Sequence, residues 1–80
     1  MFKVYYIKSS MNGDLYIGSC EDLRVRFHRH NAGYVKSTKS YRPWKLLGYE
    51  KFNTRQEAVK REKFLKTGQQ KELLKKRFDK

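Results

Sequence analysis

The sequence predicts an α/β fold of the α+β kind, in which a three-stranded antiparallel sheet is flanked by helices in the order β-β-α-β-α-α. Two segments rich in β-branched and aromatic residues flank the turn-forming pair Asn12-Gly13, and a third such segment follows Pro43. Segments with helical start and stop signals occupy the remainder. At 80 residues, we expect one small domain spanning 1–80.

The strands are predicted from residue type and alternation. Residues 2–8 (FKVYYIK) and 14–19 (DLYIGS) form the expected hairpin, since both are rich in residues that favour extended backbone. Residues 44–52 (WKLLGYEKF) alternate in polarity and give the third strand. The polar and basic stretch 34–42 before it is predicted to be a loop.

The helices are predicted from their termini. Asp22 can cap a first helix over residues 22–32. Thr54 and Glu57 form a capping-box pattern that opens a second helix through about Lys66, and Thr67-Gly68 is expected to stop it. A last, basic helix is predicted over roughly 69–78.

Charge and cysteine content restrict the function. Twenty Lys and Arg residues against eight Asp and Glu give a formal charge of +12, which favours a nucleic-acid partner, although lysines that serve solubility are the alternative. The N-terminal segment has neither a signal peptide nor a membrane-spanning run. Cys20 stands alone, which excludes a disulfide framework and fits a reducing cytoplasm.

Several polar residues fall on helix faces that should be buried. In the first helix Leu23 and Phe27 define the buried face, with His30 inside it and Arg26 at its edge. In the second helix Glu62 projects from the middle of the apolar face. A buried carboxylate needs a basic partner or a cation, so Glu62 would form a structural ion pair with Arg26 or bind a metal. The third alternative is that the helix is rotated by one residue from the predicted orientation, which would leave Glu62 in solvent.

The combined motifs resemble a known family. Lys3-Val4-Tyr5, Tyr16-Ile17-Gly18, the segment LRVRFHRHNAG with Arg26 and His30, and the segment AVKREKFL with Glu62 are similar to the GIY-YIG nucleases. The similarity is greatest to the small standalone members of that family and covers nearly the whole chain. From the residues alone, Tyr5 and Tyr16 could equally be core or cross-strand packing.

The resemblance implies a role for each of these residues. Tyr5 would be the general base on the attacking water, Tyr16 would help arrange the site, and Arg26 would hold the phosphate. Glu62 would be the protein ligand of Mg²⁺ or Mn²⁺, and His30 would orient a tyrosine hydroxyl or assist proton transfer. We attribute Gly18 to a close approach between the second strand and the first helix.

The implied function is a metal-dependent endonuclease that hydrolyses DNA phosphodiester bonds in repair or recombination. A protein partner could supply targeting. The first tripeptide departs from Gly-Ile-Tyr, and the sequence has no asparagine after Asn53, whereas many relatives carry one near the site. The alternative is therefore a non-catalytic nucleic-acid-binding module that retains the nuclease fold.

Basic residues in and beside the predicted loop are candidates for phosphate contacts: Lys36, Lys39, Arg42 and Lys45. Tyr34, Tyr41 and Trp44 could stack on exposed bases. For Trp44 we favour core packing instead.

Overall fold

The structure, a computed structural model that describes residues 1–78, contains three strands and three α-helices in the predicted order. The elements are β1 (Phe2–Ser9), β2 (Leu15–Cys20), α1 (Leu23–Ala32), β3 (Trp44–Phe52), α2 (Arg55–Leu65) and α3 (Gly68–Phe78). The α+β class and the order β-β-α-β-α-α are confirmed. Across the described part of the chain, the helices lack the length and apolar character needed to span a membrane.

The sheet has the order β2-β1-β3, so β1 is central and pairs antiparallel with both neighbours. Tyr5 lies opposite Gly18 of β2, and Tyr6 lies opposite Gly48 of β3. Because successive side chains of a strand point to opposite faces, the two adjacent tyrosines lie on different sides of the sheet.

Each face of the sheet packs against its own helical layer. Tyr5, Cys20 and Trp44 cluster with Leu23 of α1, and we call this side the α1 face. The other side, the α2 face, packs against α2 and α3 through a larger cluster: Val4, Tyr6, Leu15, Ile17, Ala58, Leu65 and Leu74. The sheet is therefore the middle layer of three.

The helix termini follow the sequence signals with one correction. The Asp22 side chain accepts a hydrogen bond from the Val25 amide, and Thr54 and Glu57 form the predicted capping box. Gly33 ends α1 with φ 87°, a left-handed conformation that glycine adopts without strain. Gly68, expected only to stop α2, is instead the first residue of α3.

Side chains fix the connection between α1 and β3 to both elements. The Asn31 amide side chain donates to the Trp44 carbonyl at 3.1 Å and accepts from the Trp44 amide at 2.6 Å. The Trp44 indole donates to the Thr38 carbonyl at 2.9 Å. Thr38 is fully buried as a result, and the loop presents a defined hydroxyl to α1.

Candidate active site

Three rings meet on the α1 face. Tyr5 and Tyr16 come from neighbouring strands, with ring centroids 6.4 Å apart. The ring of His30, from α1, lies edge-on to both, at 5.6 Å from Tyr5 and 5.0 Å from Tyr16. Tyr5 and His30 are buried, whereas Tyr16 is half-buried and keeps part of its surface in contact with solvent.

A chain of hydrogen bonds runs through these rings. The Thr38 hydroxyl donates to the Val35 carbonyl at 3.3 Å, so its oxygen accepts from His30 Nδ1–H at 2.8 Å. With the proton of the neutral imidazole on Nδ1, Nε2 accepts from the Tyr5 hydroxyl at 2.8 Å. The hydroxyl proton of Tyr5 therefore points at His30 Nε2, a proton acceptor within the protein.

Burial keeps both members of this pair neutral. Desolvation, reinforced by the positive charge of Arg26, lowers the pKa of His30 to about 4. Desolvation also raises the pKa of the Tyr5 hydroxyl, with Tyr16 adding to the effect and Arg26 opposing it. At neutral pH the site therefore holds a phenol bonded to a neutral imidazole.

Arg26 of α1 lies near enough to this cluster to affect the pKa of both Tyr5 and His30. It is exposed rather than at the edge of the buried face, because α1 turns only Leu23 and His30 fully inward. A cavity of about 260 Å³ adjoins it, lined also by Ser19, Arg29 and Arg55. Three guanidinium groups and two carboxylates, those of Glu21 and Asp22, line this cavity, so its lining carries a net positive charge that favours an anion.

Glu62 approaches from the other side of the sheet. Its Oε1 accepts from the Ser19 hydroxyl at 2.5 Å, and its Oε2 lies 2.8 Å from Lys66 Nζ. The side chain is 19% exposed, so the solvated alternative is wrong. The alternative of an ion pair with Arg26 is also wrong, because the partner is Lys66, which directly follows α2 and lies four residues after Glu62.

The hydrogen bonds of Glu62 keep it ionised. Burial alone would raise the pKa of this carboxyl group. The hydrogen bonds from Lys66 and Ser19, together with the positive charges of Lys66 and Lys63, outweigh burial and lower the pKa below its ordinary value. The negative charge also reaches the α1 face, where it raises the pKa of Tyr5. The carboxylate therefore has a small effect on Tyr5 across β2, one of the two edge strands of the sheet.

Gly18 makes the tyrosine arrangement possible. A Cβ atom at this position would lie 2.6 Å from the Tyr5 hydroxyl oxygen and 3.1 Å from the Tyr16 ring. The expectation that Gly18 allows close approach of α1 is wrong, because the neighbours that need the space are the two tyrosine side chains. Any larger residue here would displace the hydroxyl from its present position.

The loop candidates lie apart from this cluster. Lys36, Lys39, Arg42 and Lys45 are all exposed. Arg42 is partly committed to structure, since its Nε donates to the Lys39 carbonyl at 2.7 Å. Trp44 is buried, which confirms the core-packing interpretation.

Sequence reasoning missed five residues that complete the site: Ser19, Arg29, Thr38, Arg55 and Lys66. Lys66 could have been found, because it stands four residues after Glu62 on the same helix face. Ser19 could also have been found, since it follows Gly18 and must face the other helical layer. Thr38 lies in a loop and gives no periodic signal.

The residues present fit a divalent cation held by one carboxylate. Within residues 1–78, no group of three or more His, Cys, Asp or Glu side chains is placed to hold a metal. Glu62 is ionised and partly exposed, and its charge affects the pKa of Tyr5. Carboxylate oxygen is the donor that Mg²⁺ prefers. A hard cation that retains most of its water shell suits such a site.

Comparison with known proteins agrees with this geometry. The sequence model of the GIY-YIG catalytic domain matches residues 1–77. The chain belongs to the GIY-YIG family. A UPF0213 protein of Staphylococcus saprophyticus is 41% identical over 71 residues, covering 88% of this chain and 87% of the relative. A UPF0213 protein of Staphylococcus aureus is 43% identical over 65 residues, covering 80% and 78%.

A solved structure shares the architecture of this chain. The solution NMR structure of a UPF0213 protein from Bacillus halodurans superimposes with a TM-score of 0.54 at 28% identity, covering 92% of this chain and 82% of that one. This chain is therefore a GIY-YIG protein similar to small UPF0213 proteins.

Proposed function

We propose that this GIY-YIG chain, acting as one domain, is a metal-dependent endonuclease that hydrolyses DNA phosphodiester bonds. The observation that carries the proposal is the hydrogen-bond chain from Tyr5 through His30 to Thr38, placed within the electrostatic influence of both Arg26 and Glu62. The neutral phenol–imidazole pair has a guanidinium near it on its own face of the sheet and an ionised carboxylate on the other face. DNA repair or recombination in the cytoplasm is the setting that suits such an enzyme.

The hydrogen-bond chain gives the attacking water a route for its proton. As the water oxygen attacks phosphorus, its proton passes to the Tyr5 oxygen, and the Tyr5 proton passes to His30 Nε2 along the 2.8 Å hydrogen bond. The bond from phosphorus to the leaving sugar oxygen then breaks. Tyr5 thereby acts as a base without becoming a free phenolate, which its burial disfavours.

Arg26 links substrate binding to this transfer. Burial is the main cause of the low pKa of His30, and the positive charge of Arg26 lowers that pKa further. A phosphate bound at Arg26 offsets that charge, so His30 becomes a better proton acceptor when substrate is present. Glu62 would hold the divalent cation, which supplies positive charge to the phosphate and to the leaving oxygen.

The first test compares two acidic residues of α2. Glu62→Gln should reduce nicking of a supercoiled plasmid in Mg²⁺ or Mn²⁺ by at least about 100-fold, while leaving DNA binding within about twofold. Glu57→Gln is the matched control, because glutamine keeps the capping box of this exposed residue. Chelator should abolish nicking by the native chain. Equal nicking by both variants would refute the assignment of Glu62.

A second test addresses the proton route. Tyr5→Phe should lose cleavage, whereas Tyr6→Phe, adjacent on β1 but on the other face, should retain it. Arg26→Ala should lose both cleavage and part of the DNA affinity, while Arg24→Ala on the exposed side of α1 should change little. If Tyr16→Phe abolishes cleavage and Tyr5→Phe does not, the half-buried tyrosine is the base.

The second candidate function is a nucleic-acid-binding module without catalysis. It is favoured by the formal charge of +12 and by a Glu62 carboxylate whose two oxygens already have partners within the protein. This function requires affinity that falls steeply with salt, because bound basic residues displace counterions from the nucleic acid. Salt-sensitive binding with no metal-dependent nicking under any condition would establish it in place of the endonuclease.

A further inference from the structure

Both oxygens of the Glu62 carboxylate are engaged by groups of this chain. Ser19 donates to Oε1 at 2.5 Å, and the Lys66 ammonium lies 2.8 Å from Oε2. The side chains of Glu62 and Lys66 differ in exposure and in length. Glu62 is 19% exposed, whereas Lys66 is 47% exposed and has four rotatable carbons between its charge and the helix. The ammonium can leave the carboxylate without unfolding the helix.

The position of Lys66 is also one that a substrate phosphate could reach. Its Nζ lies 5.8 Å from the centroid of the Tyr16 ring, the half-buried tyrosine of the site. Lys66 therefore lies between the carboxylate of the α2 face and the rings of the α1 face. An anion bound at this edge of the sheet would offer the ammonium a second partner.

We propose that Lys66 is an internal competitor for the metal-binding carboxylate, and that nucleic acid relieves the competition by drawing the ammonium onto phosphate. A divalent cation and an ammonium group on one carboxylate repel each other strongly at such short distances. The substrate-free chain therefore binds divalent cations weakly at Glu62. The inference rests on the proposed role of Glu62 and adds a positioning residue that couples metal binding to substrate binding.

The coupling is reciprocal. If nucleic acid removes Lys66 from Glu62 and thereby strengthens metal binding, then the metal must strengthen nucleic-acid binding by the same factor. A lysine fixed in a structural ion pair would produce no such linkage. This difference separates a positioning role from a purely structural one.

The test measures Mn²⁺ affinity by electron paramagnetic resonance of free Mn²⁺ at constant pH, without nucleic acid. Lys66→Met should bind Mn²⁺ about fivefold to tenfold more tightly than the native chain, since a partly exposed ion pair accounts for up to about fivefold and the lost charge adds to it. Lys63→Met is the matched control. Lys63 is exposed, adjacent to Glu62 and equal in charge, so this variant should change affinity by no more than about twofold.

A second measurement repeats the titration with a short non-cleavable duplex. Mn²⁺ affinity should rise with the duplex in the native chain and in Lys63→Met, but much less in Lys66→Met. Lys66→Gln provides a polar substitution should Lys66→Met fail to fold, which circular dichroism would reveal.

The outcomes separate the two proposals. Equal Mn²⁺ affinity in the native chain, Lys66→Met and Lys63→Met, with binding lost in Glu62→Gln, would refute the competition while keeping the metal site. Equal tightening by both lysine variants would show a general charge effect and would also refute it. Binding unchanged by Glu62→Gln, or absent from every variant, would refute the metal role of Glu62 and the competition with it.

Discussion

Two glycines, on the two strands that flank β1, leave room for two tyrosines of β1 on opposite faces of the sheet. Gly18 lies opposite Tyr5, and Gly48 lies opposite Tyr6. A Cβ atom at Gly48 would lie 2.8 Å from the Tyr6 ring, much as one at Gly18 would meet Tyr5. The packing requirement is the same on both faces, but only the Gly18 side includes the candidate site.

The two glycines should therefore respond alike in stability and differently in cleavage when a methyl group is added. Gly18→Ala and Gly48→Ala should each lower the free energy of unfolding by about 1–3 kcal/mol, the usual cost of overpacking. Only Gly18→Ala should also displace the Tyr5 hydroxyl and abolish cleavage. Gly68→Ala is the control without overpacking, because no atom lies within 4 Å of the added Cβ, and its stability should stay unchanged or rise by up to about 1 kcal/mol. Urea unfolding and plasmid nicking provide the two measurements, and full cleavage by Gly18→Ala would contradict the placement of Tyr5.

The connection from α1 to β3 contributes to the site through a buried residue, which its basic composition does not indicate. Its basic residues suggested phosphate contacts, yet its buried member, Thr38, holds the Nδ1 proton of His30 at 2.8 Å. That hydrogen bond fixes the tautomer that leaves Nε2 available to Tyr5. The loop therefore orients the His30 ring through Nδ1, the nitrogen that does not bond to Tyr5.

Replacing Thr38 tests this role. Thr38→Val keeps the shape but leaves His30 Nδ1–H without an acceptor, so we expect a loss of about 1–3 kcal/mol in the free energy of unfolding. Amide hydrogen exchange should accelerate across residues 34–42. Ser37→Ala, at an exposed neighbouring position, should have neither effect. Indistinguishable exchange in the two variants would show that the loop is held by other contacts.

The elements were predictable because their signals are local. Alternation, capping residues and the Asn12-Gly13 turn located all three strands and all three helices to within about one or two residues of the structure. Tyr5, Tyr16, Arg26, His30 and Glu62 were identified through a resemblance, and periodicity marked His30 and Glu62 as polar residues on apolar faces. The partners Ser19, Thr38 and Lys66 depend on how the layers meet. Such contacts between distant segments leave little trace in a single sequence.

For the whole molecule, the buried imidazole makes stability depend on pH. His30 has a pKa of about 4 in the folded chain and about 6.5 in the unfolded chain. Between these two pH values the unfolded chain therefore binds a proton at His30 and the folded chain does not. Its contribution is fully present above about pH 6.5 and is lost as pH falls toward 4. The free energy of unfolding should therefore decrease by about 1 kcal/mol per pH unit between pH 6 and 5.

Urea unfolding at pH 7, 6 and 5 measures this dependence. The range avoids Glu62, whose lowered pKa affects stability only as pH falls below the ordinary carboxyl range. His28→Gln, at an exposed position, should retain the full slope, whereas His30→Gln should start from a lower stability and lose it. A slope that persists in His30→Gln would assign the effect to other groups.

The location of the site at β2 also bears on self-association. In the described part of the chain β2 has a neighbour on one side only, and an open strand edge is a template for pairing with a second copy. Arg26 and Lys66 flank this edge from the two helical layers. Two such edges brought together would place like charges side by side. The basic side chains proposed to contact phosphate therefore also oppose aggregation. Variants that neutralise Arg26 or Lys66 should be assayed for solubility as well as for activity.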